Sequence, residues 1–261
     1  MTIFISDDII NNDFKKFLED YFMNILNYGL YGLLTEGKGD SIALLIAFVV
    51  VSAIFSYLFG SLSSAIIVSK ALYKEDIRNH GSGNAGLTNM LRTYGGKAAV
   101  FTLLGDMLKT ALAILFTALL LGFEYKNGVS LSGYCFLSGL CAVLGHVYPI
   151  FYGFKGGKGV LVTATMALIL SPACFAVLFT LFLIILAISR YVSLGSITVA
   201  SLFPVCVCLY IVFVCQATLP ILTVISTVFL GGFIVWCHRS NIGRLLKGNE
   251  KKFSIGKKES K

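Results

Sequence analysis

Long uninterrupted runs of apolar residues, each closed by a short polar segment, dominate the chain from residue 42 to residue 237. The runs are continuous rather than alternating. They predict helices that are apolar all round, not the strands of a barrel. Seven spans can be drawn: Ile42–Val68, Ala98–Phe123, Leu131–Tyr152, Val160–Leu170, Pro172–Ile188, Leu194–Cys215 and Leu219–Cys237. The run 160–189 is long for one span and carries Ser171-Pro172 in its middle. Proline starts or breaks a helix, so the run divides into two short helices, with a single tilted and kinked helix as the alternative. Before the first span, residues 14–34 mix apolar side chains with Lys15, Lys16, Glu19 and Asp20. That mixture suits an amphipathic helix on a membrane surface, or a solvated extension.

Composition agrees with this pattern. The 261 residues are 57% hydrophobic and 13% charged, which leaves too few charges to cover a water-facing surface. The predicted class is therefore an all-α, polytopic membrane protein, with three parts: an extension over 1–41, a transmembrane domain over 42–238 and a basic tail over 239–261. The N-terminus opens on acidic residues rather than a basic region, so no cleavable signal peptide is expected. The seven cysteines lie in or beside apolar runs without a C-x-x-C pair, and read as small hydrophobes.

Charge decides between seven spans and six. With seven, sixteen of the 21 lysines and arginines fall on one side: in 69–97, 153–159, the Arg190 turn and the tail from residue 238. With six, Arg190 and the tail change sides and the bias dissolves. The positive-inside rule then places the basic side in the cytoplasm, with the N-terminus outside and the C-terminus inside.

Five polar constellations collect on that same side. Asp76-Ile77-Arg78 precedes Gly81-Ser82-Gly83-Asn84, Thr88-Asn89 and Arg92. Gly81–Gly86 fits G-x-G-x-x-G, but no strand precedes it, so a dinucleotide fold is disfavoured; a loop suited to an anion or polyol remains, with an ordinary solvated loop as the alternative. Asp106 and Lys109, three apart within a span, share a helix face; they form a mutual ion pair or line a site. Gly145-His146 and Pro149 lead into Lys155-Gly156-Gly157-Lys158-Gly159 at the start of an apolar run. Glycine amides, lysine charge and a helix N-terminus all favour a phosphate there. This is not a P-loop, since Gly159 stands where the hydroxyl belongs. Ser193 and Ser196 follow Arg190, and His238 to Glu250 closes the series with Asn241 three residues after His238. The three dispersed histidines lack metal-ligand spacing. No metal, cofactor or nucleic-acid partner is expected.

In this order, the five constellations resemble the acyl-phosphate:glycerol-3-phosphate acyltransferases of bacterial membranes, the PlsY type. The match runs from about residue 53 to 252, through Gly60-Ser61, Asp76–Arg78, Gly81–Asn84, Thr88-Asn89, Arg92, Asp106, Lys109, Gly145-His146, Pro149, 154–160, Ser193, Ser196 and 238–250. It departs at Ser63, Leu87 and Thr110, which are helix and packing positions, and residues before about 40 have no counterpart. The resemblance implies seven transmembrane helices with an active site at the cytoplasmic face. It implies transfer of a fatty acyl group from acyl phosphate to the 1-hydroxyl of sn-glycerol 3-phosphate, giving lysophosphatidic acid and phosphate, the first acylation of phospholipid synthesis. Membrane lipids are the expected surroundings.

The residue types fit this reaction. An acyl phosphate already carries a stable leaving group, so the protein must hold two phosphates together, orient a hydroxyl and stabilise an oxyanion. Phosphate-binding candidates are Arg78, Asn84, Arg92, Lys109, Lys155, Gly156, Gly157, Lys158 and Gly159. Ser82, Ser193 and Asn241 are candidate donors. His238 is the first candidate for positioning or deprotonating the hydroxyl and His146 the second, unless a substrate phosphate is the base. An acyl-serine at Ser82 or Ser193 is the alternative route. The rival class is a transporter of a phosphorylated metabolite, which needs polar residues at mid-span on several helices. A CoA-dependent enzyme of the soluble type is disfavoured by the absence of His-x4-Asp.

Overall fold

The computed structural model describes residues 7–35, 41–126, 129, 130 and 132–253. Parts of the expected extension (1–6, 36–40), the first residue of the third expected span and the end of the basic tail (254–261) lie outside these. The described chain is helical apart from one short ladder, in which β1 (Tyr125–Lys126) pairs antiparallel with β2 (Val129–Ser130). The helices are α1 (Asp7–Leu34), α2 (Ile42–Gly60), α3 (Ser64–Tyr73), α4 (Leu87–Tyr94), α5 (Gly96–Leu121), α6 (Gly133–Val147), α7 (Val160–Leu170), α8 (Pro172–Ser189), α9 (Val192–Phe213), α10 (Ile221–Cys237) and α11 (Arg239–Leu246).

Five stretches are long and apolar enough to cross a bilayer: Ile42–Tyr73, Gly96–Leu121, Gly133–Tyr152, Pro172–Ser189 and Val192–Phe213. The pair α10 and α11, bent by 55°, makes a sixth. The chain is thus a multi-pass, all-α membrane protein. Ser171-Pro172 does divide the long run: α7 ends at Leu170, and Pro172 opens α8 at its first helical position. The eleven residues of α7 reach only ~16 Å, short of a bilayer core of ~30 Å. The first and third expected spans are interrupted near their ends. Residues 61–63 separate α2 from α3, and Tyr148-Pro149 ends α6 before a 3-10 turn at Ile150–Tyr152.

Small residues set the packing. A Cβ at Gly60 would run into the backbone of Ala142, and one at Gly145 into the carbonyl of Tyr57. Helices α2 and α6 therefore approach closely, and Ser56 and Ser138 share a 2.8 Å hydrogen bond across them. A main core fills the bundle with Phe136, Val143, Met166, Leu170, Phe203, Val207, Ile211, Leu230 and Ile234. A smaller core of Ile66, Ile77, Ala85, Met90 and Ala98 fixes α3, α4 and the intervening loop on one end of the bundle. Helix α1 packs on α5, where Gly29 meets the backbone of Leu121 and Gly122. Lys15, Lys16, Glu19 and Asp20 on α1 are exposed. None of the seven cysteines, all among the described residues, is in a disulfide.

Candidate active site

The end capped by the smaller core is where α5 and α7 begin and where α6 and α10 stop. The turn from α8 to α9 lies there as well. A cavity of about 820 Å³ opens among these ends. Its rim is polar, with Ser82, Asn84, Arg92, Lys158, Ser193, His238, Asn241, Arg244 and Glu250. Its deep part is apolar, lined by Ala164 and Ala167 of α7, Phe175, Leu178, Phe179 and Phe182 of α8, and Val199, Ala200 and Phe203 of α9.

The first rim loop is shaped by Asn89, which is buried on α4. Its carbonyl oxygen accepts from the Ser82 amide at 3.0 Å, and its amide nitrogen donates to the carbonyls of His80 and Asn84, each at 3.0 Å. One side chain thereby closes the Gly81–Asn84 turn, and Gly81 and Gly83 supply the positive φ it needs. Arg78 braces this loop from behind. It pairs with Asp76 at 2.8 Å and donates to the carbonyls of Tyr152 and Lys155 at 2.7 and 3.2 Å. The Arg78 guanidinium holds the Asp76 carboxyl below the usual range. Arg78 ties two loops together and does not line the cavity.

The Lys155–Gly159 segment works differently from a nest of free amides. The amides of Gly156 and Gly157 donate to the carbonyls of Val147 and His146, both at 3.1 Å. A Cβ on either would strike His146. These glycines permit close packing against α6, and their N–H groups are already used. Lys155 is exposed and lies off the cavity wall. Lys158 and Gly159 do line it, at the N-terminus of α7. Lys158 donates to the side-chain oxygen of Asn241. Burial lowers the Lys158 ammonium from its ordinary range, and the nearby Arg244 cation lowers it further.

Glu250 is the hub of the opposite rim. Oε1 accepts from Ser193 Oγ and Asn241 Nδ2, each at 2.7 Å, and Oε2 accepts from Arg244 Nε at 2.7 Å. Burial alone would raise this carboxyl, but the three donors outweigh it and hold it below its usual range. Sequence reasoning left Glu250 and Arg244 out of the site. Two signals pointed to them: Arg244 lies three residues after Asn241, on one face of α11, and Glu250 is the lone acid among five bases in 239–253. Residues 239–253 therefore fold onto the cavity and are not a detached tail; the Phe253 amide donates to the Arg190 carbonyl at 2.7 Å.

The two buried histidines are held as opposite tautomers. His238 Nδ1 lies 2.8 Å from the Ile234 carbonyl, which can only accept, so Nδ1 carries the proton and Nε2 is the basic nitrogen. His146 Nδ1 lies 3.0 Å from Lys109 Nζ, which can only donate, so Nδ1 is the acceptor and Nε2 carries the proton. His238 can thus accept a proton, whereas His146 can donate a hydrogen bond. Lys109 also donates to the Leu62 carbonyl at 2.9 Å and pairs with Asp106 at 2.8 Å. It lies behind the cavity wall, where Asp106 and His146 surface. The structure therefore brings together Ser82, Asn84, Arg92, His146, Lys158, Gly159, Ser193, His238 and Asn241. It leaves Arg78, Lys109, Lys155, Gly156 and Gly157 in supporting positions. Among the described residues, no group of three or more His, Cys, Asp or Glu side chains converges to hold a metal ion.

Known proteins resemble this chain in sequence and fold. The family model for glycerol-3-phosphate acyltransferase matches residues 50–248. The glycerol-3-phosphate acyltransferase of Clostridioides difficile (strain 630) is 38% identical over 213 residues, covering 80% of this chain and 97% of that one. Glycerol-3-phosphate acyltransferase 3 of Bacillus anthracis is 42% identical over 206 residues, covering 79% and 96%. The crystal structure of PlsY (YgiH), an integral membrane glycerol 3-phosphate acyltransferase, in its glycerol 3-phosphate form superposes with a TM-score of 0.67 at 35% identity. That match covers 79% of this chain and 96% of PlsY. The lysophosphatidic acid form gives 0.65 at 34%. The region matched by the family model leaves out α1 but includes every helix that lines the cavity, from α4 to α11. The chain belongs to the glycerol-3-phosphate acyltransferase family.

Proposed function

We propose that this protein transfers a fatty acyl group from an acyl phosphate to the 1-hydroxyl of sn-glycerol 3-phosphate, releasing lysophosphatidic acid and inorganic phosphate. The observation that carries the reading is the two-part cavity: a cationic, hydrogen-bonding rim continuous with an apolar arm among membrane helices. The glycerol 3-phosphate and lysophosphatidic acid forms of PlsY support the same acceptor and product.

In this reading Arg92 holds one phosphate, with Ser82 and Asn84 beside it. Lys158, the start of α7 and Arg244 hold the other. Two phosphates repel, and three cations around one cavity offset that repulsion. His238 Nε2 accepts the hydroxyl proton or positions the hydroxyl for a substrate phosphate to accept it. Asn241 and Ser193 are fixed by Glu250, and they orient donors towards the oxyanion that forms at the acyl carbon. Phosphate leaves as a stable anion, so the acyl group can pass directly between substrates. An acyl-serine on Ser193 would first have to break its bond to Glu250. Arg78, Lys109, Lys155, Gly156 and Gly157 act through position, holding the loops and His146.

The reading includes a topology. Residues 42–253 form the catalytic unit, and 1–41 form an extension. Seven transmembrane segments, counting short α7, put the rim in the cytoplasm with the N-terminus outside and the C-terminus inside; the one-sided distribution of lysine and arginine supports this. A transporter is disfavoured because the cavity lining stops short of Leu170, Cys174 and Val207, all fully buried.

The test is turnover by purified protein in lipid, with palmitoyl phosphate or palmitoyl-CoA and radiolabelled glycerol 3-phosphate. Lysophosphatidic acid from acyl phosphate alone supports the proposal. Product from the thioester alone overturns the donor, and no product from either overturns the acyltransferase reading.

A further inference from the structure

The apolar arm has a floor, and the floor has a measurable depth. On α9, Ser193, Ser196, Ala200 and Phe203 recur on one face and line the cavity from rim to bottom. Ten residues separate Ser193, hydrogen-bonded at the rim, from Phe203, which is about 15 Å of helix. The next residue of that stripe, Val207, is fully buried and is not part of the cavity wall.

Helix α8 stops at the same depth. It runs antiparallel to α9 across the short Arg190-Tyr191 turn, and a side chain at Gly195 would collide with the Phe182 ring. Phe182 therefore lies level with Gly195. Seven residues back along α8, Phe175 comes level with residues 202–203 of α9. Phe175, Phe179 and Phe182 stack along one face, with centroids 5.3 and 6.4 Å apart and planes within 13°. The residue before Phe175, Cys174, is fully buried. The ladder gives a flat wall to a straight hydrocarbon and ends beside Phe203.

We propose that Phe203 sets the acyl-chain length up to which each added methylene speeds transfer by this protein, with Ala200 fixing the clearance one turn above it. This rests on the acyl-transfer reading above and adds a specificity-determining residue to it. At ~1.3 Å of projected length per methylene, an arm of ~15 Å takes roughly 12 methylenes. Up to that length each added methylene is buried and raises affinity roughly fourfold. Beyond it the chain end meets the Phe203 ring and the gain stops. Removing the ring extends the arm towards Val207, four residues or ~6 Å further, equivalent to about four methylenes. A larger side chain at Ala200 raises the floor by three residues or ~4.5 Å, about three methylenes.

The experiment is internal competition with the full-length protein in lipid nanodiscs. An equimolar mixture of acyl phosphates of 8 to 20 carbons is supplied with glycerol 3-phosphate, and in parallel the matching acyl-CoA mixture. Mass spectrometry of the lysophosphatidic acids reads relative kcat/KM against chain length. The wild type should reach its plateau near 14 carbons, F203A should extend it by about four carbons, and A200L should shorten it by about three. A200L keeps the test decisive if F203A does not fold. Product with the same length profile in wild type and A200L overturns the ruler and leaves acyl transfer standing. No product from either donor mixture overturns both.

Discussion

The buried triad of Asp106, Lys109 and His146 offers a test in which the structure sets the size of the effect. The Asp106 and Lys109 side chains are 1% and 3% exposed, and their charged atoms are 2.8 Å apart. At an effective dielectric of about 20, unit charges at that distance attract by roughly 6 kcal/mol, before the cost of removing both from water. Removing one partner forfeits the attraction but keeps the other partner's desolvation cost, so each single change is expected to destabilise by ~3–5 kcal/mol. For a chain of this size that is roughly a 10 °C fall in apparent Tm. Asp106→Asn leaves a buried ammonium. Lys109→Met leaves a buried carboxylate and also strips the donors from the Leu62 carbonyl and His146 Nδ1.

The double variant D106N/K109M removes both charges. Its stability should recover at least half of the loss predicted by adding the singles. Activity should not recover with it, because His146 Nδ1 has lost its obligatory donor and the ring is free to carry its proton on either nitrogen. The assay is thermal unfolding in detergent, followed by reaction of the native thiols with a fluorogenic maleimide, beside turnover on each variant. Strict additivity of the two destabilisations would refute the coupled buried pair. Full turnover by the stable double variant would refute the link from Lys109 through His146 to the site.

Three further outcomes follow from the rim. Glu250→Gln keeps one oxygen for Ser193 and Asn241 but turns the other into a donor facing Arg244; the half-exposed ion pair contributes little to folding, so Tm should hold within ~3 °C while kcat/KM falls by roughly 10–100-fold, and unchanged kinetics would remove the hub from catalysis. Lys158 has its ammonium lowered by burial, so it loses charge at a lower pH than an ordinary lysine, and phosphate binding should weaken as pH rises through that value. Lys158→Arg stays charged and should lift this alkaline limb even if its rate is reduced, whereas Lys158→Ala should abolish turnover; an alkaline limb identical in wild type and K158R would assign it elsewhere. Gly157→Ala puts a methyl against His146 and the Ala85 carbonyl, so it should cut activity at least tenfold with the charge of the loop unchanged; wild-type kinetics would restore the view of the loop as an open phosphate nest.

What the sequence revealed, and what it hid, follows from how far each physical signal reaches. Helix identity was legible because apolar runs and proline are local: the Ser171-Pro172 break falls where α7 gives way to α8. The convergence of polar loops on one end was legible too, because the lysine and arginine bias groups those segments without any contact being known. The use each polar group makes of its hydrogen bonds was hidden, since partners are set only when loops and helices meet, as for Arg78 and Lys158 across 74 to 83 residues. Lys155-Gly156-Gly157-Lys158-Gly159 has the composition of an anion nest, yet two of its glycine amides are spent on α6 and only its last two residues face the cavity. Arg78 reads as a phosphate ligand until its partners across 74 and 77 residues appear. Glu250 has the wrong sign for a phosphate ligand, yet its acidity is what lets it order Ser193, Asn241 and Arg244 at once. A charged residue's role in such a site is thus decided by which of its valences remain open after folding. For Lys158 and Arg92, cations on the cavity wall, that criterion points to substrate; for Lys109 and Arg78, with their donors already committed, it points to architecture.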